Sequence, residues 1–179
     1  RSIGMEAEQA MLSATGGVNT HKGAIFTLGL LCAAAGRLTP EHWRGETLLS
    51  ECAAMTQGLV EQDFANITTE TAKTAGEQFY AQYGITGVRG QAEAGYPAIR
   101  DVRLPVLRPG LEQGLSFNQA GCAALLHLLA ATDDTNLIHR SSRQTQLETK
   151  ERIALLLKET PFPSLERISQ LDEEFIQRN

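Results

Sequence analysis

The most constraining feature of this sequence is an apolar segment, residues 24–35, that directly follows a glycine-rich polar loop at residues 15–23. The length of the apolar segment, and the Gly36 that follows it, favour a helix that ends at this glycine. Because the segment has no polar face, we expect the helix to be buried. Any fold of this chain must therefore surround one apolar helix with further apolar surface.

The rest of the chain also has the sequence pattern of helices. No run of alternating apolar and polar residues is long enough to predict a strand, and no internal repeat is present. Residues that commonly start helices precede apolar stretches at Ser2, Thr39-Pro40, Thr68 or Thr69, Ser116, Ser142 and Ser164. We therefore predict an all-α fold, a multi-helix bundle formed by a single domain over residues 1–179.

These signals give approximate helix bounds. The expected helices cover residues 2–14, 23–36, 40–63, 69–84, 116–132, 142–158 and 164–178. On the first helix, one apolar face should contain Ile3, Ala7, Ala10, Met11 and Ala14. Pro105 and Pro109 restrict residues 98–114 to a short or kinked helix. The glycine-rich residues 84–97 are expected to form an irregular, flexible loop.

Composition limits the possible classes of function. The chain has 179 residues and a formal net charge of −5, so a nucleic-acid partner has no overall electrostatic support. The apolar segment at residues 24–35 is too short to cross a membrane. The cysteines, Cys32, Cys52 and Cys122, lie in apolar helical contexts and are predicted to be reduced core thiols of a cytoplasmic protein.

The loop before the apolar helix predicts an anion site. It brings Asn19, Thr20, His21 and Lys22 to a helix N-terminus. Unpaired backbone N–H groups and the helix dipole favour negative charge at such a position. The loop is not of the Walker A type, since its lysine precedes the glycine. On composition alone, a glycine-rich connection with a solvated His-Lys pair is an equal alternative.

A second candidate site lies in the loop expected at residues 84–97. Arg89 offers a planar guanidinium group for phosphate, and Glu93 adds a carboxylate between glycines that let backbone approach a ligand. The alternative is a surface loop with a solvated ion pair. We favour ligand binding, because long irregular loops are uncommon in helical domains that do not use them.

A third candidate site follows the helix expected at residues 116–132. Asp133, Asp134 and Asn136 supply oxygen ligands of the kind that Mg²⁺ takes, usually together with substrate phosphates. A helix C-terminus also favours a cation. The alternative is a polar turn whose side chains bond to nearby backbone. We favour the metal site, because His139 and Arg140 extend the polar cluster.

Together, the three segments predict a protein that binds a magnesium-bound polyphosphate. An anion site, a cation site and an Arg/Glu loop suit that ligand better than they suit a plain hydrolase site. The remaining histidines are expected in structural positions. His42 should lie on the surface near Trp43, and His127 should be a hydrogen-bonded core residue.

The same segments resemble the triphosphoribosyl-dephospho-CoA synthases. The likeness covers residues 3–179 and is carried by residues 17–26 (GVNTHKGAIF), 87–97 (GVRGQAEAGYP) and 134–140 (DTNLIHR). It is closest to the citrate lyase type, and the malonate decarboxylase type is a near relative. The chain departs from the family pattern at Gln91, where glutamate is common, and at Ser141-Ser142, where a glycine pair is expected.

The resemblance implies a transferase with defined substrates. Such enzymes join ATP to 3′-dephospho-CoA, release adenine and make 2′-(5″-triphosphoribosyl)-3′-dephospho-CoA. This product is the precursor of a prosthetic group that a separate transferase delivers to an acyl carrier protein. We expect Mg²⁺ as the cofactor, and no nucleic-acid or membrane partner. Family segments expected before Arg1 and after Asn179 suggest a fragment that is inactive, or nearly so, by itself.

Within that reaction the candidate residues take specific roles. Asp134 is the first choice for metal ligand or general base and Glu93 the second, while Asp133 and Asn136 are further metal ligands. The residues expected to contact substrate, chiefly its phosphates, are Asn19, Thr20, His21, Lys22, Arg89, His139 and Arg140. Two alternatives from other classes stay open, a metal-dependent nucleotide phosphohydrolase and a non-enzymatic helical adaptor.

Overall fold

The computed structural model describes residues 2–178, and within that range the protein is all-α. These residues form eleven α-helices, one short 3₁₀ turn and one π-helical segment, with no strand among them. The all-α prediction is therefore confirmed. The chain forms two compact units, Arg1–Tyr96 and Pro97–Asn179. That the whole chain acts as a single domain stays a prediction.

The first unit contains six α-helices. They are α1 (Ser2–Ala14), α2 (Lys22–Arg37), α3 (Gly45–Met55), α4 (Leu59–Phe64), α5 (Ala75–Tyr83) and α6 (Gly87–Glu93), with a 3₁₀ turn at Pro40–His42. Helix α2 packs against α1 and α3, and α6 packs against α2, α3 and α4. Leu49, Cys52, Phe64 and Ala92 are among the residues buried in its core.

Helix α1 ends in a left-handed turn that two glycines permit. Gly16 and Gly17 have φ angles of +64° and +88°. The Gly17 amide donates a hydrogen bond to the Leu12 carbonyl at 2.8 Å, which is the long-range bond of a Schellman C-cap. The turn brings residues 18–21 directly to the first turn of α2.

The predicted burial of α2 is wrong. Within this helix only Ala34 is buried, and Leu28 is 61% exposed. The predicted face of α1 is also wrong, because Met11 is buried while Ile3 and Ala7 are exposed. Apolar composition correctly indicated a helix at α2, but burial depends on what packs around it, and α1, α3 and α6 do not cover its circumference.

Residues 40–64 form three short elements instead of the single predicted helix. Gly58, with φ of +77°, interrupts the helical path between α3 and α4. Helix α5 also starts later than expected, because Thr74 and Glu77 form a capping box immediately before and within its first turn. Helix α5 ends at Gly84, as the sequence predicted, and this glycine has a left-handed conformation.

The second unit contains the other five α-helices and the π-helical segment. After the π-helical segment (Ala98–Arg103) come α7 (Leu104–Glu112), α8 (Phe117–Ala131), α9 (Thr135–Arg140), α10 (Arg143–Glu159) and α11 (Leu165–Arg178). Helix α8 packs against α7, α10 and the π-helical segment. Leu126, Ile153, Leu156 and Leu171 form a buried apolar cluster that joins α8, α10 and α11.

The capping signals of the second unit give the predicted helix starts. Ser116 and Ser142 accept backbone N–H bonds at the starts of α8 and α10. Pro105 lies in the first turn of α7 and Pro109 inside it, directly after the π-helical segment, in agreement with a distorted helix. The His127 Nε2–H donates to the Pro161 carbonyl at 3.0 Å, which confirms its hydrogen bond, but the residue is only half-buried, so its predicted core position is wrong.

The three cysteines are free thiols in different environments. Cys52 is buried and Cys122 half-buried, but Cys32 is exposed, so the core prediction is wrong for Cys32. Burial, and secondarily the charge of Glu51, raise the pKa of the Cys52 thiol. Over residues 2–178, the structure has no helix whose length and apolar character would let it span a bilayer.

Candidate functional site

Residues 18–21 place exposed polar side chains at the start of α2. The Asn19 Oδ1 accepts the Lys22 backbone N–H at 3.0 Å, so Asn19 caps the first residue of the helix. The Thr20 hydroxyl and the His21 Nδ1 lie 2.6 Å apart. The His21 backbone N–H donates to Met11 Sδ at 3.3 Å, which fixes the loop to α1. The structure therefore brings together the four residues that the sequence predicted here.

This end of α2 presents a cation and amide groups to solvent. The Lys22 ammonium lies 2.5 Å from the Glu8 carboxylate of α1, and the Lys22 side chain is 53% exposed. A solvent-accessible ion pair of this kind is worth about 0.2–1 kcal/mol, so a more highly charged anion can replace Glu8 as the partner. Gly23 and Ala24, both exposed, follow in the first helical turn, where backbone amides lack acceptors within the helix.

Arg89 lies on α6 and is bound within the first unit. Its guanidinium group forms an ion pair with Asp63 of α4 and lies 5.4 Å from the centroid of the Phe64 ring. The Phe64 ring stacks on the Tyr80 ring, with centroids 4.3 Å apart. Arg89 therefore holds α6 against α4 and, through the stacked rings, links both helices to α5.

Glu93 caps α4 from a position 33 to 35 residues along the chain. The Gly58 and Val60 backbone N–H groups donate to its Oε1 and Oε2 at 2.9 and 2.8 Å. Helix α4 begins between these two residues, so Glu93 satisfies amides that the helix cannot satisfy itself. Its negative charge also suits the positive end of the helix dipole.

The predicted loop at residues 84–97 is wrong, because residues 87–93 form α6. Glycine costs about 1 kcal/mol relative to alanine in a helix, but the contacts of Arg89 and Glu93 fix this segment as a helix. Gly90 is used for close packing. A Cβ atom at that position would lie 1.8 Å from the Thr86 Oγ1.

Tyr96 is an unusual residue that the sequence patterns did not identify. It has a φ of +53°, uncommon for a residue with a side chain, and is only 3% exposed. Among the described residues, its hydroxyl has no hydrogen-bond partner. Burial raises the pKa of the Tyr96 hydroxyl, and the nearby Thr27 hydroxyl lowers it in part. The two hydroxyl groups do not meet the geometry of a hydrogen bond. The following Pro97 gave no signal for this conformation, because proline favours extended backbone at the residue before it.

In the second unit, Asp134 is the N-cap of α9. Its Oδ1 accepts the backbone N–H groups of Asn136 and Leu137 at 2.9 and 3.0 Å. The cap therefore uses one of the two carboxylate oxygens. The sequence did not predict α9. The positive N-terminal end of this helix opposes the preference for a cation that was expected at the end of α8.

Asp133 is already paired with cations of α10. Its Oδ1 lies 2.8 Å from Arg143 Nη1 and 3.3 Å from Lys150 Nζ. Burial raises the pKa of the Asp133 carboxyl, but the hydrogen bonds and charges of Arg143 and Lys150 hold it below its usual value. A metal ion at the same oxygen would have to compete with both cations.

The remaining predicted residues lie on α9. Asn136 is exposed in its first turn, and His139 and Arg140 are exposed in its last turn. The geometry thus places Asp134 and Asn136 at one end of this short helix and the two basic residues at the other. No group of three or more His, Cys, Asp and Glu side chains that could hold a metal ion occurs in the described part of the chain. The Mg²⁺ site stays a prediction.

Comparison with known proteins identifies the family. The sequence model of the family described as ATP:dephospho-CoA triphosphoribosyl transferase (CitG) matches residues 1–179, which include every predicted site residue. No solved structure matches the chain. Members of the family are transferases that act on ATP and dephospho-CoA. The chain belongs to the ATP:dephospho-CoA triphosphoribosyl transferase family.

Proposed function

We propose that the protein transfers the 5-triphosphoribosyl group of ATP to the 2′-hydroxyl of 3′-dephospho-CoA and releases adenine. The family match over residues 1–179 carries this proposal. The exposed cation and amide groups at the start of α2 support it, because the reaction requires a triphosphate to be held without being cleaved.

The proposed reaction exchanges one bond at the ribose C1 of ATP. The bond from C1 to the adenine nitrogen breaks, and a bond from C1 to the 2′-oxygen of dephospho-CoA forms. The 2′-hydroxyl gives up its proton and the leaving adenine gains one, while all three phosphates remain on the transferred ribose. Glycosyl transfers of this kind pass through an oxocarbenium-like centre, which a nearby carboxylate stabilises.

In the first unit, Lys22 and His21 are proposed to bind the phosphates. The ion pair of the exposed Lys22 with the half-buried Glu8 is accessible to solvent and can be exchanged for a triphosphate at little cost. Asn19 maintains the loop through its bond to the Lys22 amide, and Thr20 orients the His21 ring. The negative phosphates would also favour the amide end of α2.

In the second unit, Asp134 is proposed as general base or metal ligand. Its cap uses Oδ1, which leaves Oδ2 as the oxygen for a proton or a cation. Mg²⁺ commonly takes one or two protein carboxylates together with phosphates and waters, so Asp134 with Asn136 fits the donor set better than Asp133 does. When bound, Mg²⁺ would neutralise phosphate charge, and His139 and Arg140 are proposed as further phosphate contacts.

Arg89 and Glu93 remain proposed site residues, but their contacts within the first unit favour a positioning role over direct contact with substrate. Direct contact of Glu93 with the reacting ribose would require it to leave the Gly58 and Val60 amides. Arg89 would likewise have to leave Asp63 to bind phosphate in full. We therefore propose that both act mainly by positioning the helices of the first unit.

The proposal extends to the citrate lyase type of the synthase. Its product would be the prosthetic-group precursor for the acyl carrier protein of citrate lyase, delivered by a separate transferase in the cytoplasm. The closer resemblance to this type supports the assignment. The malonate decarboxylase version is the alternative, and it differs in the carrier protein served and not in the chemistry of transfer.

Product analysis tests the proposal. The protein is incubated with ATP and Mg²⁺, with or without dephospho-CoA, and adenine and phosphate are separated by chromatography. We expect adenine only when dephospho-CoA is present, in equal amount to a product that retains three phosphates. Released phosphate would support a phosphohydrolase instead, and absence of both adenine and phosphate would support a helical adaptor.

A further inference from the structure

Helix α8 carries an open groove that none of the proposed roles uses. Phe117, Gly121 and Leu125 follow one another at four-residue intervals and therefore share one face of the helix. Phe117 is 73% exposed and Leu125 is 55% exposed. The groove has a volume of about 280 Å³, and its other lining residues are Arg103, Asn118, Cys122 and Leu128.

The groove combines apolar surface with two kinds of polar group. Asn118 offers an amide that can both donate and accept hydrogen bonds. Arg103 offers a guanidinium group, and among residues 2–178 it makes no ion pair or hydrogen bond. By contrast, Arg100 of the same π-helical segment is paired with Asp101 at 2.7 Å. The groove thus contains one exposed cation that is not neutralised by the described chain.

The backbone structure that carries Arg103 is also unusual. Arg103 is the last residue of the π-helical segment, which packs directly against α8. π-helical turns are rare and are frequent at functional sites. Arg103 directly precedes α7 and lines the groove.

We propose that this groove binds the pantetheine arm of dephospho-CoA, with Arg103 bound to the adjacent pyrophosphate. The proposal rests on the family's substrate and locates one part of it. The arm is an apolar chain with two amides and a terminal thiol, attached to a negatively charged pyrophosphate. The apolar lining matches the apolar chain of the arm, the Asn118 amide can bond to the amides of the arm, and the Arg103 cation matches the pyrophosphate.

The size of the groove supports an arm of the substrate as the occupant. Sites that enclose whole ligands measure roughly 300–1,000 Å³, and this groove lies just below that range. ATP has no pantetheine arm, so the proposal predicts effects that are selective for one substrate. That selectivity distinguishes a subsite from a general contribution to the fold.

Kinetics of exposed variants test this selectivity. Leu125→Ser and Arg103→Gln should each raise the KM for dephospho-CoA about ten-fold and leave the KM for ATP unchanged, because the groove is proposed to bind the arm and pyrophosphate of dephospho-CoA and no part of ATP. Leu155→Ser is the matched control, since Leu155 on α10 is also 55% exposed. Arg108→Gln, an exposed arginine on α7, is the control for Arg103.

A binding measurement makes the test independent of turnover. Calorimetry compares dephospho-CoA with ADP, which lacks the arm, in the absence of ATP. Leu125→Ser should weaken dephospho-CoA binding about ten-fold and leave ADP binding unchanged. Dephospho-CoA, but not ADP, should also slow alkylation of Cys122 by iodoacetamide, while the exposed Cys32 reacts at the same rate throughout.

The outcomes separate this inference from the proposed transfer. An unchanged KM for dephospho-CoA in both groove variants, or an equal rise of this KM in Leu155→Ser and Arg108→Gln, would overturn the inference even if adenine is released normally. Unchanged affinity with an altered sedimentation coefficient in Leu125→Ser would assign the groove to a second copy and also overturn it. Selective binding without adenine release would support the subsite and contradict the transfer.

Discussion

The start of α2 and helix α6 carry similar charged residues between glycines, but use them differently. At the start of α2, the exposed Lys22 side chain pairs with the half-buried Glu8, and Gly23 and Ala24 of the first turn are exposed. On α6, Arg89 is bound to Asp63, and Glu93 caps α4. Both segments belong to the first unit, so the difference arises from their local partners.

From this contrast we infer that a charged residue beside glycine indicates a ligand site when its partners within the fold are few and accessible to solvent. Asp133 and Asp134 repeat the contrast at adjacent positions. Asp133 is paired with two cations of α10, whereas the α9 cap uses one oxygen of Asp134. We expect the bound charges to govern stability and the available ones to govern activity.

The largest expected effect separates the two aspartates. Asp134→Asn should reduce adenine release by about 100-fold or more, the usual contribution of a general base. Its melting temperature should change little, because asparagine caps helices as well as aspartate does. Asp133→Asn should show the reverse, with a lower melting temperature and most activity retained. Near-normal turnover in Asp134→Asn would exclude both its metal and its base role.

The next effect concerns the stability provided by Glu93. Glu93→Ala should lower the free energy of unfolding by about 2 kcal/mol, because it leaves two helix N-terminal amides without their charged acceptor. Glu93→Gln should lose less, since it keeps one acceptor oxygen. Urea titration measures both variants, with the exposed Glu61→Ala on α4 as control. Loss of activity with unchanged stability in Glu93→Ala would instead indicate a direct chemical role.

The smallest effect is the pH dependence that Asp133 contributes. Against the effect of its burial, Arg143 and Lys150 lower the folded-state pKa of Asp133. Its stabilisation is therefore complete above the unfolded pKa, about 3.9, and is lost as the pH falls through the lower folded pKa. Asp133→Asn should lower the free energy of unfolding by about 1 kcal/mol or less, and this free energy should then fall less steeply at acid pH. Superimposable stability–pH curves for the two proteins would contradict the assignment.

Much of the fold follows from local sequence signals. The starts of α8 and α10 agree with prediction because Ser116 and Ser142 satisfy helix amides within three residues of themselves. The left-handed Gly84 ends α5 for an equally local reason. The exposure of Leu28 on α2 could not be predicted this way, because it depends on which distant helices pack there.

The site shows the same limit. The polar cluster before α2 lies at a helix N-terminus as predicted, because Asn19 caps a residue only three positions away. The sequence predicts a loop where α6 lies, because Glu93 is fixed by amides 33 and 35 residues earlier in the chain, which no local pattern reveals. The hydrogen bonds that make Asp134 a helix cap are local, but an Asp-rich turn has the same sequence pattern.

The central claim, that the triphosphate binds at the start of α2 and that α6 supports the fold, is tested most directly by comparing Lys22→Ala with Arg89→Ala. ATP affinity is measured by calorimetry and stability by thermal unfolding. We expect Lys22→Ala to weaken ATP binding about ten-fold, the value of one charge-assisted bond, with little change in melting temperature. Arg89→Ala should lower the melting temperature by roughly 2–4 °C for each kcal/mol lost and affect ATP binding less. Unchanged ATP affinity in Lys22→Ala, together with a large loss in Arg89→Ala, would contradict the account.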